Sequence, residues 1–195
     1  AGVAASALVM TVMMATLVVG PFYLRQAFGL DAALIGLVMS IGPIVAALTG
    51  VPAGRIVDRF GAQRMTIVGL IGIAAGSFIL SMMPARLGIS GYIAPLVVIT
   101  AGYALFQAGN NTAVMTDIRQ GQRGVVSGML NLSRNLGLIT GASIMGAVFA
   151  LASGALDITA AHPEAVATGM RVTFGVAASL IVVALAIAVG SRTLA

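Results

Sequence analysis

Apolar residues run in long unbroken stretches along this chain, and most charged residues gather in short groups between them. Six apolar segments can be counted, approximately Ala4–Tyr23, Ala33–Ala53, Met65–Met83, Tyr92–Met115, Val125–Ala152 and Met170–Gly190. Most hold about 20 residues or more, which at 1.5 Å rise per residue cover roughly 30 Å of hydrocarbon. The segments do not alternate in character as barrel strands do, so helices joined by short loops are the spanning structure that fits. The pattern predicts an all-α integral membrane protein, a six-transmembrane-helix bundle spanning residues 1–195 as one unit.

The second and third segments meet at Gly54-Arg55-Ile56-Val57-Asp58-Arg59-Phe60-Gly61-Ala62-Gln63-Arg64, the most charged stretch of the chain. Charge-free runs flank it, from Ala32 to Gly54 and from Met65 to Ala85. A polar turn at a membrane surface is expected here, with Gly54 and Gly61 allowing tight backbone paths.

Composition agrees: 59% of residues are hydrophobic, 8% are charged, and the mean hydropathy is +1.10. Soluble domains carry about 25% charge, and helices apolar all round cannot be solvated. A formal charge of +5 and a pI near 11.1 would suggest nucleic acid as partner for a soluble protein. Here the basic residues are all Arg and scattered over loops, so membrane orientation explains them and no nucleic-acid partner is expected. Arg55, Arg59, Arg64, Arg119 and Arg123 fall on one side, against Arg25, Arg86 and Arg171 with Asp31, Asp157 and Glu164 on the other. The positive-inside rule then puts both termini and loops 54–64 and 117–124 in the cytoplasm, with Tyr23 and Tyr92 at the outer interface. The chain begins with Ala1 and has no basic region before its first apolar run, so it is expected to be a piece of a longer protein.

Catalytic chemistry finds little support. Cysteine is absent, and the single histidine, His162, sits beside Pro163 in the longest outer loop, about Ser153–Thr168. No metal-ligand set or nucleophile–base pair is visible, so neither an enzyme nor a cofactor or metal site is expected.

Polar groups inside the spans carry the functional signal. The third and sixth segments are almost wholly apolar and are expected to face lipid. The fourth carries Tyr103, Gln107, Asn110, Asn111 and Thr112, and the fifth carries Asn131, Ser133, Arg134, Asn135 and Thr140. An Arg near mid-membrane costs on the order of 2.5–3.5 kcal/mol unless it faces protein or a water-filled cavity. Residues 107, 110, 111 and 114 share a helical stripe, which makes Gln107, Asn110, Asn111, Asn131 and Arg134 candidates to line a cavity. Interhelical hydrogen bonding, worth about 0.6 kcal/mol per contact, is the competing role. If the fourth and fifth helices are antiparallel neighbours, Asn110 and Asn131 lie roughly 10 Å deep and Gln107 and Arg134 roughly 15 Å deep. Gly124 and Gly128, then Gly137 and Gly141, repeat at i, i+4 and are expected to allow close helix approach.

The charged stretch resembles the signature loop between the second and third helices of a major facilitator superfamily half, G-x-x-x-D-R/K-x-G-R/K-R/K. Gly54, Asp58, Arg59 and Gly61 fall on that motif. Ala62 and Gln63 stand where two basic residues are usual, and Arg64 follows one place later. Phe106-Gln107-Ala108-Gly109-Asn110-Asn111-Thr112-Ala113-Val114-Met115 is similar to the fourth helix in the C-terminal half of fourteen-helix drug:proton antiporters of this superfamily. Arg123-Gly124 with Ser127-Gly128-Met129-Leu130-Asn131-Leu132-Ser133-Arg134-Asn135-Leu136-Gly137 is similar to their next helix. The N-terminal half of that family would show an Asp in its first helix, an Arg in its fourth and a Gly-Pro pair in its fifth. This chain has none of these in the matching places.

The resemblance implies the C-terminal six-helix half of a transporter in the cell membrane. That half would work by alternating access with a missing N-terminal half, exporting small hydrophobic, drug-like substrates in exchange for protons. Asp58 would then sit near a helix start in the other half, and the proton-carrying acid would lie outside this chain. Uptake of a small metabolite and a non-transporting scaffold or sensor are the alternatives.

Overall fold

A computed structural model describes residues 1–84, 87–116, 118–154 and 162–193. The expected Asp117, Arg86 and Asp157, and most of the loop around Asp157, lie outside the described residues. The helices are α1 (Gly2–Phe28), α2 (Ala32–Phe60), α3 (Ala62–Met82), α4 (Gly88–Thr116), α5 (Arg123–Ser153) and α6 (Pro163–Thr193). All six are long and apolar enough to cross a membrane. With 21 residues α3 just matches a core of about 30 Å, whereas the others, at 27 to 31 residues, overhang it.

The helices alternate in direction, so α1 and α5 run parallel: Val3 meets Ser133, and Thr11 meets Gly137 and Gly141. α1 packs on α5 and α6, α4 packs on α3 and α2, and α3 packs on α6. α1 and α4 thus form the middle, α3 and α6 the back, and α2 and α5 the flanks. The core joins Val9 and Val12 of α1, Leu70 and Ile73 of α3, Ile99 and Phe106 of α4, and Phe174 and Ile181 of α6. In α2 only Val38, Ala53 and Val57 are buried.

Three expectations need correction. First, Gly54–Arg64 is not a loop. α2 begins at Asp31, whose carboxylate accepts from Leu34 N–H at 2.8 Å, and continues to Phe60. Long arginine side chains can carry their charge to water while the backbone stays helical, and Arg59 in the last turn favours the helix C-terminus. Gly54 is therefore mid-helix, and Gly61 alone makes the reversal, at φ 93°. A side chain is strained in that region, so glycine is required there.

Second, α3 and α6 do not simply face lipid. Each buries one face and shows another: Val68, Ile71 and Phe78 of α3 and Val172, Val182 and Val183 of α6 are exposed. The few polar groups on the inner sides, Thr66 and Ser77 of α3 and Thr173 of α6, are small and buried, too sparse to draw a stripe. On α3 the mark is glycine, since a Cβ at Gly102 of α4 would come 2.8 Å from the Gly69 carbonyl oxygen. Third, α6 starts at Pro163, so the C-terminal part of the expected outer loop is helical.

Candidate functional site

Asn110 and Asn111 are neighbours in sequence, and helical geometry turns successive side chains by about 100°. Asn110 is 3% exposed, and its amide donates to Ser6 Oγ at 2.9 Å and to the Gly2 carbonyl at 3.2 Å. It joins α4 to α1, the hydrogen-bonding role weighed against a cavity role. Asn111, half-buried, points the other way and accepts from the Arg134 guanidinium of α5. That is the one side-chain hydrogen bond between α4 and α5 among the described residues, and these two helices otherwise barely touch.

A gap therefore opens between α4 and α5. One recess of about 310 Å³ is lined by Asn111, Met115, Ser127, Gly128, Leu130, Asn131 and Arg134. A second, of about 490 Å³, is lined by Asn111, Thr112, Met115, Thr116 and Arg123. Asn111 and Met115 belong to both, so the two form one cleft. Arg123, Ser127, Asn131 and Arg134 are spaced 4, 4 and 3 apart on α5, and share one helix face. That spacing is the sequence signal for Arg123 and Ser127, which lie nearer the helix start than the deep polar groups of the span. Ser133, one residue before Arg134, faces away: its hydroxyl donates to the Val3 carbonyl at 2.6 Å on the α1 side.

Gln107 is half-buried and lines neither recess. Of the acceptors expected for Arg134, the Gln107 carbonyl or the asparagines, it is Asn111, one turn nearer the Gly61 end, that takes the guanidinium. One turn is about 5.4 Å, which the long arginine side chain spans. α4 and α5 run antiparallel, as expected, but splay apart, with α1 behind the gap.

The signature residues stand apart from the cleft, at the α2–α3 junction. Asp58, Arg59 and Arg64 are exposed, and Arg59 lies 5.4 Å from the centroid of the Phe60 ring. Asp58 makes no hydrogen bond or ion pair among the described residues. His162 is exposed just before α6, where its carbonyl accepts from Ala165 and Val166 N–H. No cluster of three or more His, Cys, Asp or Glu that could hold a metal exists among the described residues. The cleft is donor-rich: guanidinium, amide and hydroxyl groups on one wall, with Met115 and Leu130 as apolar neighbours.

The profile of the Major Facilitator Superfamily matches residues 2–142. The chain is 33% identical over 125 residues, 64% of its length, to the uncharacterised transporter YebQ of Escherichia coli K12. It is 24% identical over 127 residues, 65% of its length, to the multidrug efflux pump LfrA of Mycolicibacterium smegmatis. It is also 24% identical over 169 residues, 87% of its length, to the riboflavin transporter RibZ of Clostridioides difficile. The matched stretches are 27%, 25% and 37% of these relatives, so the chain spans only a minor part of their length.

Proposed function

The chain belongs to the Major Facilitator Superfamily, and on that premise we propose that it is the C-terminal six-helix half of a secondary transporter that exports hydrophobic, drug-like compounds against protons. Its six apolar helices make it a multi-pass membrane protein with one half of that fold. The observation that carries the proposal is the position of the α4–α5 cleft. Costly polar groups, Arg134 above all, lie within spanning segments on the side where α2 and α5 bury least of themselves. A second six-helix half laid against α2 and α5 would close this side and turn the cleft into part of a central cavity. The arginine-rich end would be cytoplasmic, with Asp58 at the junction reaching a helix N-terminus of the other half.

The likeness to a multidrug efflux pump supports export. The likeness to a riboflavin transporter, which covers more of the chain, favours a second reading in which the solute is a metabolite. Cells expressing the intact gene and challenged with a panel of dyes separate the two. Export predicts lower accumulation of several unrelated dyes, abolished by collapsing the proton gradient; unchanged accumulation of all of them would contradict it.

The described acids Asp31, Asp58 and Glu164 stand at helix ends, so the proton carrier is assigned to the remaining sequence. Asp58→Asn in the intact transporter should slow conformational switching and leave substrate-evoked proton movement measurable with a pH-sensitive dye. Transport retained with coupling lost would count against that assignment.

A further inference from the structure

We propose that the α4–α5 cleft selects amphipathic guests bearing one oxyanion, a carboxylate or a phosphate, with Arg134 as its anchor and Arg123 as the charge at its mouth. The inference rests on the transport reading above and adds the class of solute.

Arg134 lies eleven residues inside α5, roughly 16 Å from the helix start. An ionised group at such depth needs protein partners or water. Of its five N–H donors, one has an acceptor among the described residues, the Asn111 carboxamide oxygen. That neutral acceptor holds the guanidinium across the cleft and leaves the rest of its fork available, a geometry suited to the two oxygens of a carboxylate or phosphate.

The surroundings agree. Asn131 and Ser127 add neutral donors, Gly128 leaves room beside them, and Met115 and Leu130 offer apolar contact for the body of a guest. Among the described residues, neither recess has an acidic or aromatic side chain in its lining. A site built for an organic cation would want a carboxylate or an aromatic face, so this lining disfavours one. Arg123 lies three turns from Arg134 on the same face, where it attracts anions towards the cleft.

The test uses the full-length transporter containing this chain, purified in detergent, with dansyl-leucine and its uncharged methyl ester as matched probes followed by fluorescence. The acid is expected to bind at least about tenfold more tightly than the ester, the scale of one charge-assisted contact. Arg134→Gln should erase that preference by weakening the acid about tenfold more than the ester, and Arg134→Lys should restore part of it. Asn131→Ala, on the exposed wall of the cleft, should weaken the acid selectively and guards against a folding defect in the arginine variants. Dioleoyl phosphatidylglycerol titrated against phosphatidylcholine separates the sources: competition with the dansyl acid identifies a lipid headgroup as guest, and its absence a soluble solute. Equal affinity for acid and ester, or no measurable binding of the acid, overturns the proposal and means that a fixed counter-charge occupies Arg134. Equal weakening of both probes by Arg134→Gln overturns it too, leaving Arg134 as a clasp between helices. Binding is read without flux, so failure of the export reading is detected separately, by the dye panel.

Discussion

Helix α5 carries two glycine pairs of identical spacing, and they have opposite surroundings. A Cβ at Gly141 would come 2.7 Å from Thr11 Cα, and one at Gly137 would come 2.8 Å from Met10 Cβ, so the backbones of α1 and α5 lie in close contact. Thr11 Oγ1 donates to the Gly137 carbonyl at 3.2 Å, and Ser133 fixes the same seam nearer its end. At Gly124 and Gly128 a Cβ would meet nothing within 4 Å. The α1 side of α5 is a packed seam, and its α4 side is an open cleft bridged by Arg134 and Asn111. Identical local sequence signals therefore mean close packing in one place and free space in another. What separates them is which neighbour has come near, and that is settled by the rest of the bundle.

The sharpest way to break the comparison is to fill both sides. Gly141→Leu must push α1 away from α5 and is expected to cost about 1–3 kcal/mol or more, seen as a lower unfolding midpoint in SDS titration of the detergent-solubilised protein. Gly128→Leu enters open space in this half and should change the midpoint by less than about 0.5 kcal/mol. Equal losses would remove the distinction.

Backbone strain comes next. Gly61→Val forces a β-branched residue into the left-handed region at the α2–α3 reversal and should cost about 1–3 kcal/mol by the same titration. A neutral result would mean that the junction is free to rearrange.

The smallest stability effects should sharpen the contrast between the two asparagines. Asn110→Ala removes the bonds to Ser6 and Gly2 and should destabilise by about 0.6–1.7 kcal/mol, the range for polar contacts within membranes. Asn111→Ala loses only the bridge across the cleft and should cost less, its consequence appearing in solute binding instead. The opposite ranking would mean that Asn111 is the structural residue of the two.

The six spans were legible because hydrocarbon leaves no alternative to long apolar helices, and the candidate polar residues were legible because each is costly there. Their partners were not. Periodicity groups Asn110 with Asn111 on a stripe, but only the position of α1 decides that the first is tied to Ser6 and the second is left for Arg134. The Gly54–Phe60 segment was misread for a related reason: charge marks the membrane boundary and says nothing of where the helix ends. Two glycines, Gly54 and Gly61, flank the charged stretch, and only the structure shows that the second alone takes the positive φ that ends α2.

The account stands or falls on one side of α5 being wet and the other dry. These 195 residues contain no cysteine, so single cysteines introduced into them can be read one at a time once any others in the full-length protein are removed. A charged, membrane-impermeant maleimide added from the arginine-rich side should label Asn111→Cys and Asn131→Cys readily. Ser133→Cys, on the α1 side of α5, should react on the order of tenfold more slowly or not at all, because buried thiols are inert. Similar rates at all three positions, or faster labelling at 133, would contradict the division of α5 into a packed seam and an open cleft.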